Sequence, residues 1–298
     1  MTKPCLAPLD HITPLAFRVP DCACDSHAHI FGPYSAYALS DDRSYTPPEN
    51  ALERYLAHLQ RIGFARGVLV TASACGTDNR SVLDALAEQP DRLRGVAVTG
   101  DDVDRETLVR WRKAGITGLR FNLYAIDGMA VYRNGVGLDT LERLAPVMRD
   151  LGLHAQIWVH APDLVQLAPR LLRLNITLVI DHMGRMNVSR GTLDPGFQQL
   201  LRMLKDGDAW SKISGADRNT NRYGHYDDTD EFARQIVAAN PEQVVWGSDW
   251  PHINYYEPAQ VPDDGVLLNT LARWLPDEKS REQVLVFNPA RLYHFESR

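Results

Sequence analysis

Short apolar runs alternate along the chain with longer stretches in which apolar residues recur every three or four positions. Eight short runs read as strands: 24–30, 67–72, 95–99, 118–122, 154–160, 177–181, 209–214 and 243–247. Most are continuous in apolar residues, the pattern of strands buried on both faces. Between them, 51–62 places Leu52, Tyr55, Leu56, Leu59 and Ile62 at helical spacing. Segments 81–87, 138–151, 164–174, 197–204, 231–239 and 266–274 behave alike, the first preceded by an N-cap region at Thr77, Asp78 and Asn79. Regular strand–helix alternation predicts a parallel sheet. Eight such units predict an α/β fold of the closed (β/α)8 TIM barrel type, with a doubly wound open sheet as the alternative. No GxGxxG follows the first strand and no GxxxxGK[ST] occurs, so neither common nucleotide-binding route is supported.

Composition narrows this picture. The 298 residues are 44% hydrophobic and 23% charged, which excludes a disordered chain, a collagen-like fibre or a coiled coil. A length of this order suggests two domains, but α/β barrels reach roughly 250 residues as one. The expectation is one barrel domain over 1–298, with 1–22 as an N-terminal extension. The formal charge of -6 argues against nucleic-acid or anionic-membrane binding. No apolar run approaches the roughly 18 residues that span a bilayer, and the N-terminus lacks a signal-peptide core. A cytoplasmic protein is expected. Cys5, Cys22, Cys24 and Cys75 read as reduced thiols, because Cys22 and Cys24 are too close for an easy disulfide and lack CxxC spacing.

In a barrel the chemistry sits at the carboxyl ends of the strands. Strand one ends in Asp25-Ser26-His27-Ala28-His29. Residues two apart on a strand share a face, about 6.6 Å apart, so His27 and His29 suit one ion or one oxygen. Strand four carries Arg120, strand six runs into His182 and Arg185, strand seven leads to Arg218, and strand eight ends at Asp249. An arginine or histidine in a loop is ordinarily solvated, but these positions converge. Three arginines at one mouth repel unless an anion offsets them, which points to a ligand bearing carboxylate, sulfonate or phosphate. Asp249 among cations stays ionised and suits a general base acting on water, with histidines stabilising an oxyanion. On strand five Trp158 and His160 share a face, and His160 is either a metal ligand or a loop-start residue. His252 reads as a supporting residue, His154 lies at the far end of its strand, and His58 has no evident partner. Tyr255 and Tyr256 read as exposed aromatics.

Five segments occur in order: Asp25-Ser26-His27-Ala28-His29-Ile30-Phe31-Gly32, Ala74-Cys75-Gly76-Thr77-Asp78-Asn79, Gly118-Leu119-Arg120-Phe121-Asn122, Ile180-Asp181-His182-Met183-Gly184-Arg185 and Gly247-Ser248-Asp249-Trp250-Pro251-His252. With Pro262-Asp263-Asp264-Gly265 and Asn288-Pro289-Ala290-Arg291-Leu292-Tyr293, they resemble the amidohydrolase superfamily in its 2-pyrone-4,6-dicarboxylate lactonase branch, over about 23–293. The resemblance implies a (β/α)8 barrel that hydrolyses a lactone without a bound metal. It implies that Asp249 deprotonates water, that His27, His29 and His182 surround the reacting carbonyl, and that Arg120, Arg185, Arg218 and Asn254 hold carboxylates. Trp158 and Ser73 complete the implied substrate-binding set.

The chain departs from the branch in two places. No second arginine follows strand four before Arg133, and Trp158 stands where the lactonase has tyrosine. One anion clamp is therefore altered. The expected substrate class widens to muconolactones, sulfonated (as 4-sulfomuconolactone) or carboxylated, of aromatic-compound breakdown, with sugar-acid lactones as an alternative. His160 resembles the strand-five metal ligand of zinc-dependent decarboxylases in the superfamily. A second reading is therefore a decarboxylase or amidohydrolase holding one zinc or manganese ion on His27, His29, His160 and Asp249. A third is a non-catalytic binding protein. The expected partner is a small anionic lactone, and a homo-oligomer is left open.

Overall fold

A computed structural model of the chain describes residues 2–126 and 129–296. Eight strands form one parallel sheet in chain order: Cys24–Ala28, Arg66–Val70, Leu93–Ala97, Ile116–Asn122, His154–Trp158, Leu178–Ile180, Ala209–Lys212 and Val244–Val245. The last returns to the first. Ala28 and Trp250 form a parallel bridge, Ser26 N donates to Trp246 O at 2.9 Å, and Asp249 N donates to His27 O at 2.9 Å. This closure makes the sheet a (β/α)8 barrel rather than an open doubly wound sheet.

Small and branched residues fill the inside. Cys24, Val68, Val70, Val96, Val179 and Val245 share an interior cluster, closed by Tyr293 and Phe295 of the C-terminal segment. His154 begins its strand beside Tyr293, with ring centroids 5.6 Å apart, as expected for the end away from the chemistry. The outer layer packs apolar helix faces on the barrel. The helix Leu52–Ile62 buries Leu52, Tyr55, Leu59 and Ile62, the residues that its sequence spacing places on one face.

Two departures from the sequence expectation have physical reasons. A helix at Arg105–Lys113 escapes periodicity because it buries only Leu108; the Asp104 side chain caps it by accepting from Thr107 N. Asn79 precedes the helix Arg80–Glu88 but does not cap it. Its amide instead bridges strands two and three, accepting from Thr71 Oγ1 at 2.7 Å and Val98 N at 2.9 Å, and donating to Val98 O at 2.8 Å. A short antiparallel ribbon, Ala125–Ile126 with Met129–Ala130, follows strand four. The N-terminal extension is tied down where Thr13 N and Oγ1 donate to Asp263, the cap of the helix Asp264–Trp274. All four cysteines are free thiols. Among the described residues no helix is long and apolar enough to cross a membrane.

The seam between strands one and eight rests on Asp25 and Gly247. Buried Asp25 accepts from Ser248 N at 2.8 Å, Ser248 Oγ at 2.7 Å and Tyr55 OH at 3.2 Å. A Cβ on Gly247 would meet His27 N at 2.5 Å and His27 Cβ at 2.6 Å. The seam therefore sets where Asp249 stands relative to His27. Gly247→Ala is expected to lower unfolding free energy by about 1–3 kcal/mol or more through overpacking, read by denaturant titration; unchanged stability would mean that the seam opens freely.

Candidate active site

The carboxyl ends of the strands enclose a cavity of about 500 Å³, lined by His29, Arg120, Trp158, His182, Arg185, Arg218, Asp249 and Asn254 with neighbouring aromatic residues. Local backbone conformation aims several of these groups. Of the ten non-glycine residues with positive φ among the described residues, six lie just after strands six and eight: His182, Met183, Arg185, Asp249, His252 and Asn254. Each such conformation costs about 1–3 kcal/mol and persists only where surrounding contacts impose it.

Asp249 lies at the focus. Its Oδ1 stands 3.7 Å from His27 Nε2, 3.5 Å from His29 Nε2 and 3.9 Å from His182 Nε2. Its Oδ2 is gripped by Arg218, through Nε at 3.1 Å and Nη2 at 3.0 Å. Burial alone would raise the Asp249 carboxyl, but its electrostatic interactions with His182 and Arg218, with contributions from His29 and His27, hold it well below the usual carboxylate range. The two oxygens thus have separate duties: Oδ2 is anchored, and Oδ1 faces the imidazoles.

The histidines differ in their supports. His29 Nδ1 lies 2.7 Å from Val70 O. A carbonyl only accepts, so Nδ1 carries the proton and Nε2 of the neutral ring is an acceptor. A water against Asp249 Oδ1 can therefore donate to both Asp249 and His29. His182 Nδ1 pairs with Ser214 Oγ at 2.9 Å. Burial brings the His182 imidazole down to about 4, against the pull of Asp249 and Asp181. His27 is fully buried and does not line the cavity; it forms the layer beneath Asp249.

Below His27 lies a group that the sequence reading passed over. Lys212 of strand seven is fully buried, and its ammonium reaches Gln156 Oε1 at 2.7 Å, Ser26 O at 3.0 Å, His27 Nδ1 at 3.1 Å and Asp181 Oδ1 at 3.4 Å. A lysine inside an otherwise buried strand run was the available signal, since lysine is almost never fully buried unless paired.

The arginines divide. Arg218 is engaged by Asp249, donates to Ile253 O at 2.8 Å and lies over the Tyr255 ring at 4.6 Å. It holds the carboxylate rather than an open anion position. Arg120 reaches Asp181 only at 3.5 Å, and Arg185 donates to Arg218 O and at 3.4 Å to Asn219 Oδ1. Arg185 lines the cavity with no carboxylate partner among the described residues, and Arg120 with only the longer contact to Asp181. The repulsion expected among three arginines is thus partly offset inside the protein, by Asp249 and Asp181.

Other expectations shift. Arg133 is exposed, and the cavity wall beside it is Tyr132. The Tyr132 ring stacks on Trp158 with centroids 4.6 Å apart and planes at 10°, and its hydroxyl accepts from Asn254 Nδ2 at 2.7 Å. No periodic signal marks Tyr132, which sits in the irregular segment after strand four. Ser73 does not line the main cavity; it borders a small adjoining one shared with Arg120, Tyr132 and Trp158. His160 stays outside the histidine cluster, with its ring against Tyr124 at 5.4 Å. Tyr255 is buried, donating to Asp217 Oδ2 at 2.5 Å, not an exposed aromatic. His252 supports from behind, 3.0 Å from Asp264 Oδ1, and His58 does have partners, Asp264 Oδ2 at 3.7 Å and the Trp250 ring at 5.4 Å.

Comparison with known proteins adds to this geometry. A family model described as Amidohydrolase matches residues 24–295. The chain is 34% identical to 4-sulfomuconolactone hydrolase of Hydrogenophaga intermedia, over 97% of this chain and 94% of that one. It is 33% identical to 2-pyrone-4,6-dicarboxylate hydrolase of Comamonas testosteroni, over 93% and 92%. Among solved structures, a probable 2-pyrone-4,6-dicarboxylic acid hydrolase from Acinetobacter baumannii with citric acid bound superimposes with a TM-score of 0.78 at 27% identity, covering 92% of this chain and 100% of that one.

Acid stability follows from the buried imidazole. The folded-state value of His182 is depressed from 6.5 to about 4. The folded protein therefore binds fewer protons than the unfolded chain in between, so stability is full above about 6.5 and falls as pH drops toward 4. Against wild type, His182→Gln should lose less stability over that window, by on the order of 1–3 kcal/mol, measured by urea titration at each pH. Parallel curves would contradict a neutral buried His182.

Proposed function

Because the chain belongs to the amidohydrolase family, we propose that the cavity hydrolyses an anionic lactone, a sulfonated or carboxylated muconolactone or a pyrone dicarboxylate of aromatic-compound breakdown. The observation that carries this reading is the Asp249 carboxylate, clamped through Oδ2 by Arg218 with Oδ1 turned to three imidazole nitrogens.

Water held by Asp249 Oδ1 and His29 Nε2 attacks the lactone carbonyl. Its proton passes to Asp249 as the new C–O bond forms. His182, at the cavity wall, faces the carbonyl oxygen as negative charge develops there. The tetrahedral species then expels the ring oxygen, which takes the proton back from Asp249, leaving an open chain and a carboxylic acid that ionises to carboxylate by releasing its remaining proton to solvent. Arg120 and Arg185 hold the anionic substituent. Trp158 and Tyr132 form a flat wall for the ring, in place of a second arginine clamp. Asn254 is oriented by Tyr132 and borders the same space.

The residues present only partly fit a divalent ion. Ligand atoms of His27, His29 and Asp249 lie within 4.8 Å of one another, and so do those of His27, Asp181 and His182. A metal-bound imidazole ordinarily donates its other N–H to a carboxylate or carbonyl. Here the other nitrogen of His27 meets the Lys212 ammonium at 3.1 Å, a donor without acceptor capacity. No step of the proposed hydrolysis runs through a metal, and it needs no cofactor. The free thiols of all four cysteines support a reducing, cytoplasmic setting. The extension over 1–22 docks on the barrel through Thr13, which supports one catalytic unit over the chain.

Asp249→Asn keeps the shape of the site but removes the base. Turnover should fall by about 10²–10⁴-fold while the lactone still binds, read by acid release from a panel of anionic lactones and by calorimetric titration. Normal turnover in the variant would overturn the assignment. Binding without any hydrolysis by the wild type would favour a binding protein.

A further inference from the structure

We propose that Lys212 is a positioning residue that fixes the tautomer of His27, so that His27 presents an N–H, not a lone pair, to the working oxygen of Asp249. An ammonium has three N–H donors and no acceptor. Within 3.1 Å of Lys212 Nζ stand three acceptors, Ser26 O at 3.0 Å, Gln156 Oε1 at 2.7 Å and His27 Nδ1 at 3.1 Å, with Asp181 Oδ1 farther off at 3.4 Å. The Gln156 amide is oriented for this, because its Nε2 donates to Asp181 Oδ2 at 3.1 Å and so leaves Oε1 toward the lysine. Two of the three acceptors are oxygens with no other role toward Lys212. The third is a ring nitrogen, which accepts only when it carries no proton.

Accepting at Nδ1 places the proton of the neutral ring on Nε2. That atom has no hydrogen-bond partner among the described residues and faces Asp249 Oδ1 at 3.7 Å. The opposite tautomer would turn a second lone pair, beside that of His29 Nε2, toward the ionised carboxylate and leave Oδ1 with no imidazole donor from strand one. Asp181 is the competitor that could impose it, since its Oδ1 lies 3.4 Å from His27 Nδ1 and could accept a proton there. Lys212 lies closer to that nitrogen and also pairs with Asp181 Oδ1 at 3.4 Å, drawing the carboxylate into its own ion pair. Burial lowers Lys212 to about 8 against the pull of Asp181, so it remains an ammonium at neutral pH.

The result is a site whose first-strand pair has opposite polarities. Val70 O makes His29 an acceptor toward Asp249 Oδ1, and Lys212 makes His27 a donor toward the same oxygen. Acceptor and donor together define where a water can sit and which way its protons point. Lys212 touches neither the cavity nor the substrate, and acts through His27.

The test has one arm independent of the proposed lactone hydrolysis and one that rests on it. Long-range proton–nitrogen correlation spectra of protein labelled with 15N-histidine, assigned by the signals lost in His27→Gln, report the tautomer directly. Wild-type His27 should be protonated at Nε2 alone, and a ring protonated at Nδ1 overturns the proposal with or without a known substrate. In Lys212→Met the proton should move to Nδ1, facing Asp181; an unmoved proton also overturns it. Because Lys212→Met leaves Asp181 unpaired, Lys212→Met combined with Asp181→Asn serves as the second variant; with the competing carboxylate gone the proton should return to Nε2, facing Asp249, and a proton on Nδ1 there would contradict the account. In the kinetic arm, Lys212→Met should lower kcat by about 10–100-fold with KM little changed. A change confined to KM would contradict a role through His27. If Asp249→Asn leaves turnover intact while the His27 tautomer is as stated, the hydrolase reading fails and the positioning role stands.

Discussion

A carboxylate kept ionised in a buried position is the constraint on which the rest of this structure depends. Asp249 tolerates burial only because Arg218 grips one oxygen and three imidazoles face the other. The supports come from three strand ends, His27 and His29 at strand one, His182 after strand six and Arg218 after strand seven, so the arrangement exists only when the barrel is closed. The seam through Asp25, Gly247 and Ser248 performs that closure directly beside this carboxylate. Fold and site are joined at this point, and the left-handed backbone at Asp249 is held in place by the same contacts.

Beneath the carboxylate lies a second layer of charge. Lys212, Asp181 and Gln156 fill the barrel interior with a hydrogen-bonded set, while the residues around them are small and apolar. A buried polar network of this kind specifies orientation when its members are satisfied. Here it orients His27. Above the carboxylate, Arg120 and Arg185 face open space, and the Tyr132–Trp158 stack supplies a flat apolar wall. The cavity therefore combines cations with an aromatic surface, which suits a ring carrying an anionic group.

Much of the fold was legible because its signals are local. Eight buried runs separated by amphipathic stretches sufficed for the barrel, and strand-end position sufficed to single out Asp249, His29, His182, Arg120 and Arg185, which the structure brings to one cavity. What stayed hidden depends on tertiary partners. The helix Arg105–Lys113 buries a single leucine and so carries no stripe. Tyr132 reaches the cavity from an irregular segment. His160 shares strand parity with Trp158, yet the chain turns after Trp158 and takes its ring to Tyr124. Arg218 sits at the expected strand end, but its partner is the protein's own carboxylate. Strand position tells where a side chain begins; its charge partners decide what it does.

The central claim is that Asp249 drives water onto a lactone carbonyl. A single turnover of a carboxylated or sulfonated muconolactone in 18O-labelled water tests it most directly, with the product examined by mass spectrometry. Direct attack by water predicts one 18O atom in the newly formed carboxylate after that first turnover. Product free of label would contradict the account, since the oxygen would then come from the Asp249 carboxylate itself or from a rearrangement that consumes no water.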